Sequence, residues 1–208
     1  REIPRGAMSR TEAGLFLAIA AVAFLAVCGQ ISLLCLWLAP IALAIVFWYS
    51  LAKRFTWATQ FFLGLAMAVA PVGGWIAVGG GASWEPALLG VAIGTWVGGF
   101  DVLYACQDLE FDRAHGLRSI PVRFGVARSI GISRVLHVVT VMCLVALGLV
   151  AGLGVVYQAG VGLVALLLVF EQSLVSASDL SQVKRAFDLN GWVGLLYLVT
   201  TGLSVYVR

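Results

Sequence analysis

Charge in this chain is confined to a few short stretches, and the runs between them are long, apolar and nearly uncharged. A run of about 20 such residues is the length an α-helix needs to cross the hydrocarbon of a bilayer. Only 11% of the 208 residues are charged and 62% are hydrophobic, more apolar surface than a soluble domain of this size can bury. The pattern predicts an all-α, multi-pass transmembrane bundle forming one domain over residues 1–208, with helices near 10–28, 32–52, 57–78, 86–108, 127–152, 155–179 and 189–207. Ser9 followed by Glu12 is a capping box that starts the first helix. Pro71 with Gly73 and Gly74 is expected to kink or loosen the third span. Gly79–Gly81 and Pro86 mark the turn that follows it.

With seven crossings, Arg1, Arg5, Arg10, Lys53, Arg54, Arg113, Arg118, Arg123, Arg128, Arg134, Lys184 and Arg185 all fall on one side, and only Arg208 falls on the other. An excess of Lys and Arg marks the cytoplasmic side. The chain is therefore expected in the cell (inner) membrane with that side in the cytoplasm. A net charge of +3 is too small to argue for nucleic acid as a partner. Cys28, Cys35, Cys106 and Cys143 are scattered through apolar stretches without a CxxC pair, so neither zinc nor a disulfide framework is indicated. The chain opens on Arg, without a signal peptide ahead of the first span, and reads as a piece of something longer, cut on its N-terminal side.

The chemistry concentrates at the cytoplasmic end of the fourth predicted helix, where Asp101, Tyr104, Asp108 and Asp112 stand at i, i+3, i+7 and i+11. On one continuous helix the three aspartates project within about 40° of one another, Tyr104 lies about 60° to one side, and Glu110 points about 180° away. Gly90, Gly94 and Gly98 on the same side let neighbouring helices approach closely. Asp101 is therefore expected in a protein-lined cavity. Acidic side chains gathered at a membrane surface call for a positive occupant, and Mg²⁺ takes oxygen ligands and brings phosphates with it. Three cytoplasmic loops, around Tyr49–Thr56, Asp108–Gly125 and Lys184–Asn190, bring cations to the same mouth. Such a mouth suits a lipid diphosphate whose tail lies among the helices.

Three other titratable side chains invite comparison. Glu171 is an acid inside the predicted sixth span, a functional candidate by default to which no role is assigned. His137, alone in an apolar helix, reads as a packing residue, and His115 lies in the charged loop within reach of phosphate.

The run Asp101-Val-Leu-Tyr104-Ala-Cys-Gln-Asp108-Leu-Glu-Phe-Asp112, continued through Gly116, Arg118, Ser119 and Arg123 to Phe124-Gly125, resembles the second aspartate-rich motif of the UbiA family of membrane prenyltransferases. Tyr49–Thr56 resembles that family's cytoplasmic loop, Ala186-Phe187 through Gly194 the entry to its last helix, and Arg1–Gly6 with Ser9 and Glu12-Ala13 the stretch after its first aspartate-rich motif. The resemblance implies seven helices of a nine-helix fold. The first two helices and the first motif are then expected to be missing, and the chain alone is expected to lack transferase activity.

What the resemblance implies for chemistry is transfer of a polyprenyl group from polyprenyl diphosphate to a small aromatic carboxylate acceptor. It implies Mg²⁺ on Asp108 and Asp112, with Asp101 and Tyr104 lining the cavity beside them. Lys53, Arg118 and Arg123 are then diphosphate-binding, and Arg54, with its two-donor fork, acceptor-binding. The pattern, including Ala70–Trp75, looks most like 4-hydroxybenzoate polyprenyltransferases of ubiquinone synthesis, and is similar also to enzymes that prenylate a dihydroxynaphthoate on the way to menaquinone. Haem O and chlorophyll synthases of the same family stay open. A cation channel or carrier would continue the polar residues toward the opposite surface, where these helices have almost none. The CDP-alcohol phosphotransferase signature fails, because Asp108-Leu and Asp112-Arg stand where Asp-Gly and Ala-Arg pairs are required.

Overall fold

The computed structural model describes residues 5–207. Arg1, in both the charge argument and the opening resemblance, and Arg208 lie outside the described residues. Among the described residues there are nine helices and no strand: α1 (Arg10–Ile31), α2 (Leu33–Phe55), α3 (Thr59–Ala77), α4 (Trp84–Ala105), α5 (Leu109–Ala114), α6 (Ile120–Phe124), α7 (Val126–Val150), α8 (Val155–Ser173) and α9 (Val183–Tyr206). Seven are long, matching the expected count. Six of these, α1 to α4, α7 and α8, are long and apolar enough to cross a membrane. The seventh, α9, has the length but begins with Lys184, Arg185 and Asp188 and carries Asn190, Thr200 and Thr201 further on.

Local sequence explains most boundaries. Ser9 accepts from the Glu12 backbone at 3.1 Å while the Glu12 carboxylate accepts from the Ser9 backbone at 2.7 Å, the full capping box. A single residue, Ser32, joins α1 to α2, and its hydroxyl accepts from the Cys35 N–H, so the two helices must fold back on each other. α3 continues through Pro71 to Ala77, so the proline does not end it. Gly79 (φ 81°) and Gly152 (φ 61°) hold the left-handed turns between α3 and α4 and between α7 and α8, a conformation open to glycine at little steric cost.

Helix α4 is the central element, packed on α3, α7 and α9. Gly94 lies against the Gly64 backbone, Gly90 against Ala68 and Val72, and Gly98 against the Gln60 carbonyl, so the glycine face seats α3 at backbone distance as the spacing predicts. Further along the bundle the core is layered. Ala92, Leu144, Val161, Val164, Leu168 and Val193 form one apolar layer. Leu103, Ile130, Val175, Val183 and Ala186 form another nearer the charged end. Between them sits a polar layer: Ser133 donates to the Gly99 carbonyl at 2.8 Å, Gln172 donates to Ser133 at 2.7 Å and lies 3.0 Å from His137 Nδ1, and the Trp96 indole donates to Asn190 Oδ1 at 2.6 Å.

The close α3–α4 crossing generates opposite expectations for two glycines. Gly64→Val drives a side chain into the Gly94 backbone and should cost roughly 1–3 kcal/mol. Gly131→Ala places its Cβ in open space on a helical backbone and should add about 0.5–1 kcal/mol. Thermal unfolding of the two variants in detergent, followed by size exclusion, checks both signs.

Candidate functional site at the charged end of the bundle

The sequence projection places the aspartates on one continuous helix, and here the structure differs. Helix α4 ends at Ala105. The N–H groups of Cys106, Gln107 and Asp108 then close on the carbonyls of Leu103, Tyr104 and Ala105, three residues back. This tight turn redirects the chain into the separate helix α5. Electrostatics favours the break: on a continued α4 both carboxylates would face a helix C-terminus, whereas Asp108 at the N-cap and Asp112 in the first turn of α5 sit at the end that favours negative charge.

The aspartates come together nonetheless, because Lys53 gathers them. The last turn of α2 carries Lys53, which points across to α5, so this stretch is helix where the sequence reading has a loop. Its ammonium donates to both Asp112 oxygens, at 3.1 and 3.0 Å, and stands 3.6 Å from Asp108. The Asp112 side chain is 1% exposed and that of Asp108 43%. Asp101, half-buried on α4, lies within electrostatic range of Lys53, Asp108 and Tyr49. Glu110 points outward, as its register requires, and meets Arg113 at 3.5 Å.

The segment after α5 is tied to α2 and α3 by its backbone. The Arg118 N–H donates to the Lys53 carbonyl at 2.8 Å and its guanidinium to the Phe55 carbonyl at 2.8 Å. Thr59 donates to the Arg118 carbonyl, and buried Gln60 accepts from the Ile120 N–H at 3.3 Å. Arg118 thus stands beside Lys53 with part of its fork already used. Arg54 and Arg123 are exposed. Among the described residues neither makes an ion pair, and neither is brought onto the Lys53 cluster by hydrogen bonding.

Aromatic rings form a wall beside this mouth. Trp96 and Phe100 meet edge to face at 5.8 Å, Phe100 and Phe187 at 5.4 Å, and Phe187 lies 5.0 Å from Tyr104. Asn190 holds the wall from behind, accepting from Trp96 while its amide donates to the Ala186 and Phe187 carbonyls. Sequence reasoning singled out Tyr104 and passed over Trp96, Phe100 and Asn190. The i, i+4, i+8 spacing of Trp96, Phe100 and Tyr104 was the available signal for the first two. Nothing local could have paired Asn190 with Trp96, 94 residues away, and the same holds for Gln60 beneath the Arg118 loop. Helix α8 stops at Ser173, short of the expected 179, and α9 begins at Val183, ahead of the expected 189. Val175 and Val183 are buried together, which pins the intervening turn and brings Phe187 onto the first turns of α9.

The carboxylates supply hard oxygen donors of the kind Mg²⁺ takes, and the half-exposed Asp108 offers its oxygens to the mouth. Among the described residues no three His, Cys, Asp or Glu side chains gather as a metal-binding group, so these two carboxylates could supply only part of a coordination shell. The salt bridge itself has a testable consequence. Lys53→Met leaves a nearly inaccessible carboxylate without its counter-charge and should destabilise the fold by about 3 kcal/mol. The double variant Lys53→Met with Asp112→Leu should recover much of that loss, read as the coupling in a thermal or denaturant double-mutant cycle.

Known proteins share this architecture and sequence. The profile described as the UbiA prenyltransferase family matches residues 1–197. The chain is 31% identical to the 4-hydroxybenzoate octaprenyltransferase of Edwardsiella ictaluri over 197 residues, 94% of this chain and 68% of that protein. It is 33% identical to the protein of the same name from Xanthomonas campestris pv. campestris (strain B100), over 100% of this chain and 69% of that one. Among solved structures, the apo structure of a UbiA homolog from Aeropyrum pernix K1 superposes with a TM-score of 0.87 at 29% identity, covering 96% of this chain and 74% of its own. A digeranylgeranylglyceryl phosphate synthase, at 19% identity and TM-score 0.73, shares the fold over 96% of this chain and 71% of its own. The chain belongs to the UbiA prenyltransferase family.

Proposed function

We propose that the chain takes part in transferring a polyprenyl group from its diphosphate to an aromatic acceptor, with 4-hydroxybenzoate as the acceptor, at a mouth that opens to the cytoplasm. One observation carries the reading: Lys53 draws Asp108 and Asp112 together at the charged end of the bundle. The names of the Edwardsiella and Xanthomonas relatives support the acceptor, and the excess of Lys and Arg at this end supports the orientation.

In this reading the diphosphate sits at the mouth and the prenyl tail lies among the helices. Asp108 and Asp112 would hold Mg²⁺, and the ion would supply positive charge to offset that of the diphosphate. Lys53, Arg118 and Arg123 bind diphosphate oxygens, and the half-exposed Lys53 exchanges part of its hold on the carboxylates for phosphate. The bond between the prenyl carbon and the diphosphate oxygen breaks with both electrons leaving on oxygen. Asp101 offers negative charge near the allylic cation, and the faces of Tyr104, Phe100 and Phe187 stabilise it and keep water away. Arg54 holds the acceptor carboxylate through its two-donor fork. An electron-rich ring carbon attacks the cation and the ring then loses its proton. A cation channel is disfavoured because the far half of the bundle is mainly apolar, with Ala92, Leu144, Val161, Val164 and Val193 packed together and no charged side chain among them.

In the full-length protein, Asp108→Asn should lower Mg²⁺-dependent prenyl transfer in membranes about 100-fold or more, measured as radiolabelled product. Near-normal turnover would remove the metal assignment. Arg54→Ala should raise KM for 4-hydroxybenzoate more than KM for the diphosphate, and equal effects on both would sink the acceptor role. A mass-resolved acceptor screen against 4-hydroxybenzoate and a dihydroxynaphthoate distinguishes the two quinone routes.

A further inference from the structure

A cavity of about 560 Å³ lies between α7 and α8, away from the Lys53 mouth. This is within the range of ligand pockets, roughly 300–1,000 Å³. Its α7 side is Arg134, His137, Val138, Val141 and Met142, and its α8 side is Ala165, Leu168, Val169, Gln172 and Ser173. Both are i, i+3, i+4, i+7, i+8 stripes, so each helix presents one continuous face about two turns long.

The two stripes run antiparallel, and this sorts their chemistry. Arg134 and His137 on α7 stand level with Gln172 and Ser173 on α8, at the charged end of the bundle. Val141 and Met142 stand level with Ala165 and Leu168, deeper in. The groove is therefore polar and cationic at one end and aliphatic at the other. Val138, Met142 and Val169 are more than half exposed, so it opens sideways, to the side that lipid covers.

Arg134 makes this groove more than an unpartnered apolar face. It lies eight residues inside α7, roughly 12 Å along the helix from its start, and it is exposed. Among the described residues no carboxylate lies within ion-pair distance of it. An exposed guanidinium near the charged end of a membrane helix is well placed to meet an anionic head group. At the same end the buried Gln172 Oε1 also lacks a hydrogen-bond partner. The other large cavity, about 540 Å³ among α1, α2 and α3, carries no charged residue in its lining and offers a head group nothing.

We propose that the α7–α8 groove is a binding site for an anionic phospholipid, with its phosphate on Arg134 and one acyl chain along Val138, Met142, Ala165 and Val169. The site is independent of the transferase mouth and does not rest on the reading proposed for it. Basic pockets between membrane helices on the side of positive charge select anionic head groups by the same physics.

The test is native mass spectrometry of the purified, delipidated protein in detergent, titrated in turn with phosphatidylglycerol and phosphatidylcholine. The wild type should retain phosphatidylglycerol in preference to phosphatidylcholine. Arg134→Gln should lower the phosphatidylglycerol-bound fraction about fivefold, the factor one basic residue contributes at an anionic surface. Arg128→Gln, an exposed arginine on the same helix outside the groove, should leave it unchanged. Ala165→Phe, which fills the tail channel without touching the charge, should lower it as well. Equal retention of the two lipids, an Arg134→Gln protein that binds like wild type, or an Ala165→Phe protein with undiminished binding would each overturn the proposal. So would finding that the amphiphile bound through Arg134 is a prenylated aromatic acid rather than a phospholipid.

Discussion

The ion pair between Lys53 and Asp112 organises the charged end of this protein. Removing a carboxylate from water to 1% exposure is expensive, and the cost is met only when a counter-charge satisfies its oxygens. Lys53 does so with contacts to both, and the pair fastens α2 to α5 across 59 residues of sequence. The long segment from Cys106 to Gly125 would otherwise have few ties. Its backbone is instead tied to the Lys53 carbonyl and to the side chains of Thr59 and Gln60, and the Arg118 guanidinium donates to the Phe55 carbonyl. The Lys53 charge thus fixes the position of the carboxylates, and neutral hydrogen bonds to α2 and α3 hold the loop that carries Arg118 and Arg123.

The interior follows a different rule. In α4, α7, α8 and α9 two apolar layers enclose a polar one, and within it Ser133, Gln172, His137, Trp96 and Asn190 are linked by hydrogen bonds. Satisfaction is incomplete. Both oxygens of Glu171 are buried and unpartnered, as are His137 Nε2 and Gln172 Oε1. In a low-dielectric interior unmade bonds of this kind are costly, and the apolar layers on either side carry that cost. His137, expected to be a satisfied packing residue, is half so: its Nδ1 is engaged and its Nε2 is not.

How much of this was legible beforehand depended on the range of the interaction concerned. Ser9 with Glu12 folded as a capping box, and the glycines at spacing four folded as a helix crossing, because each is decided within one or two turns. The break after Ala105 was missed because angular projection assumes a continuous helix, and the projection has no knowledge of the electrostatic advantage of restarting at Asp108. Asp108 and Asp112 nonetheless both approach Lys53, for a reason other than a shared helix face. The early start of α9 was hidden by Lys184, Arg185 and Asp188, which read as loop. In the structure Lys184 and Asp188 pair along the helix at 2.9 Å, while Val183 and Ala186 bury against α4 and α7 residues in the same layer.

By itself the sequence determined that the chain is a helical membrane bundle, how many long helices it has and which end carries the charge. Those properties rest on composition and short periodicities, which the bilayer enforces one helix at a time. Only the tertiary structure decided that Lys53 faces Asp112 and not the mouth alone, that Asn190 fixes Trp96 behind the aromatic wall, and that Arg134 stands at the head of a groove. Each of these joins side chains on different helices. The crossing of those helices is set by packing such as Gly64 on Gly94, which the hydropathy of the separate segments does not encode.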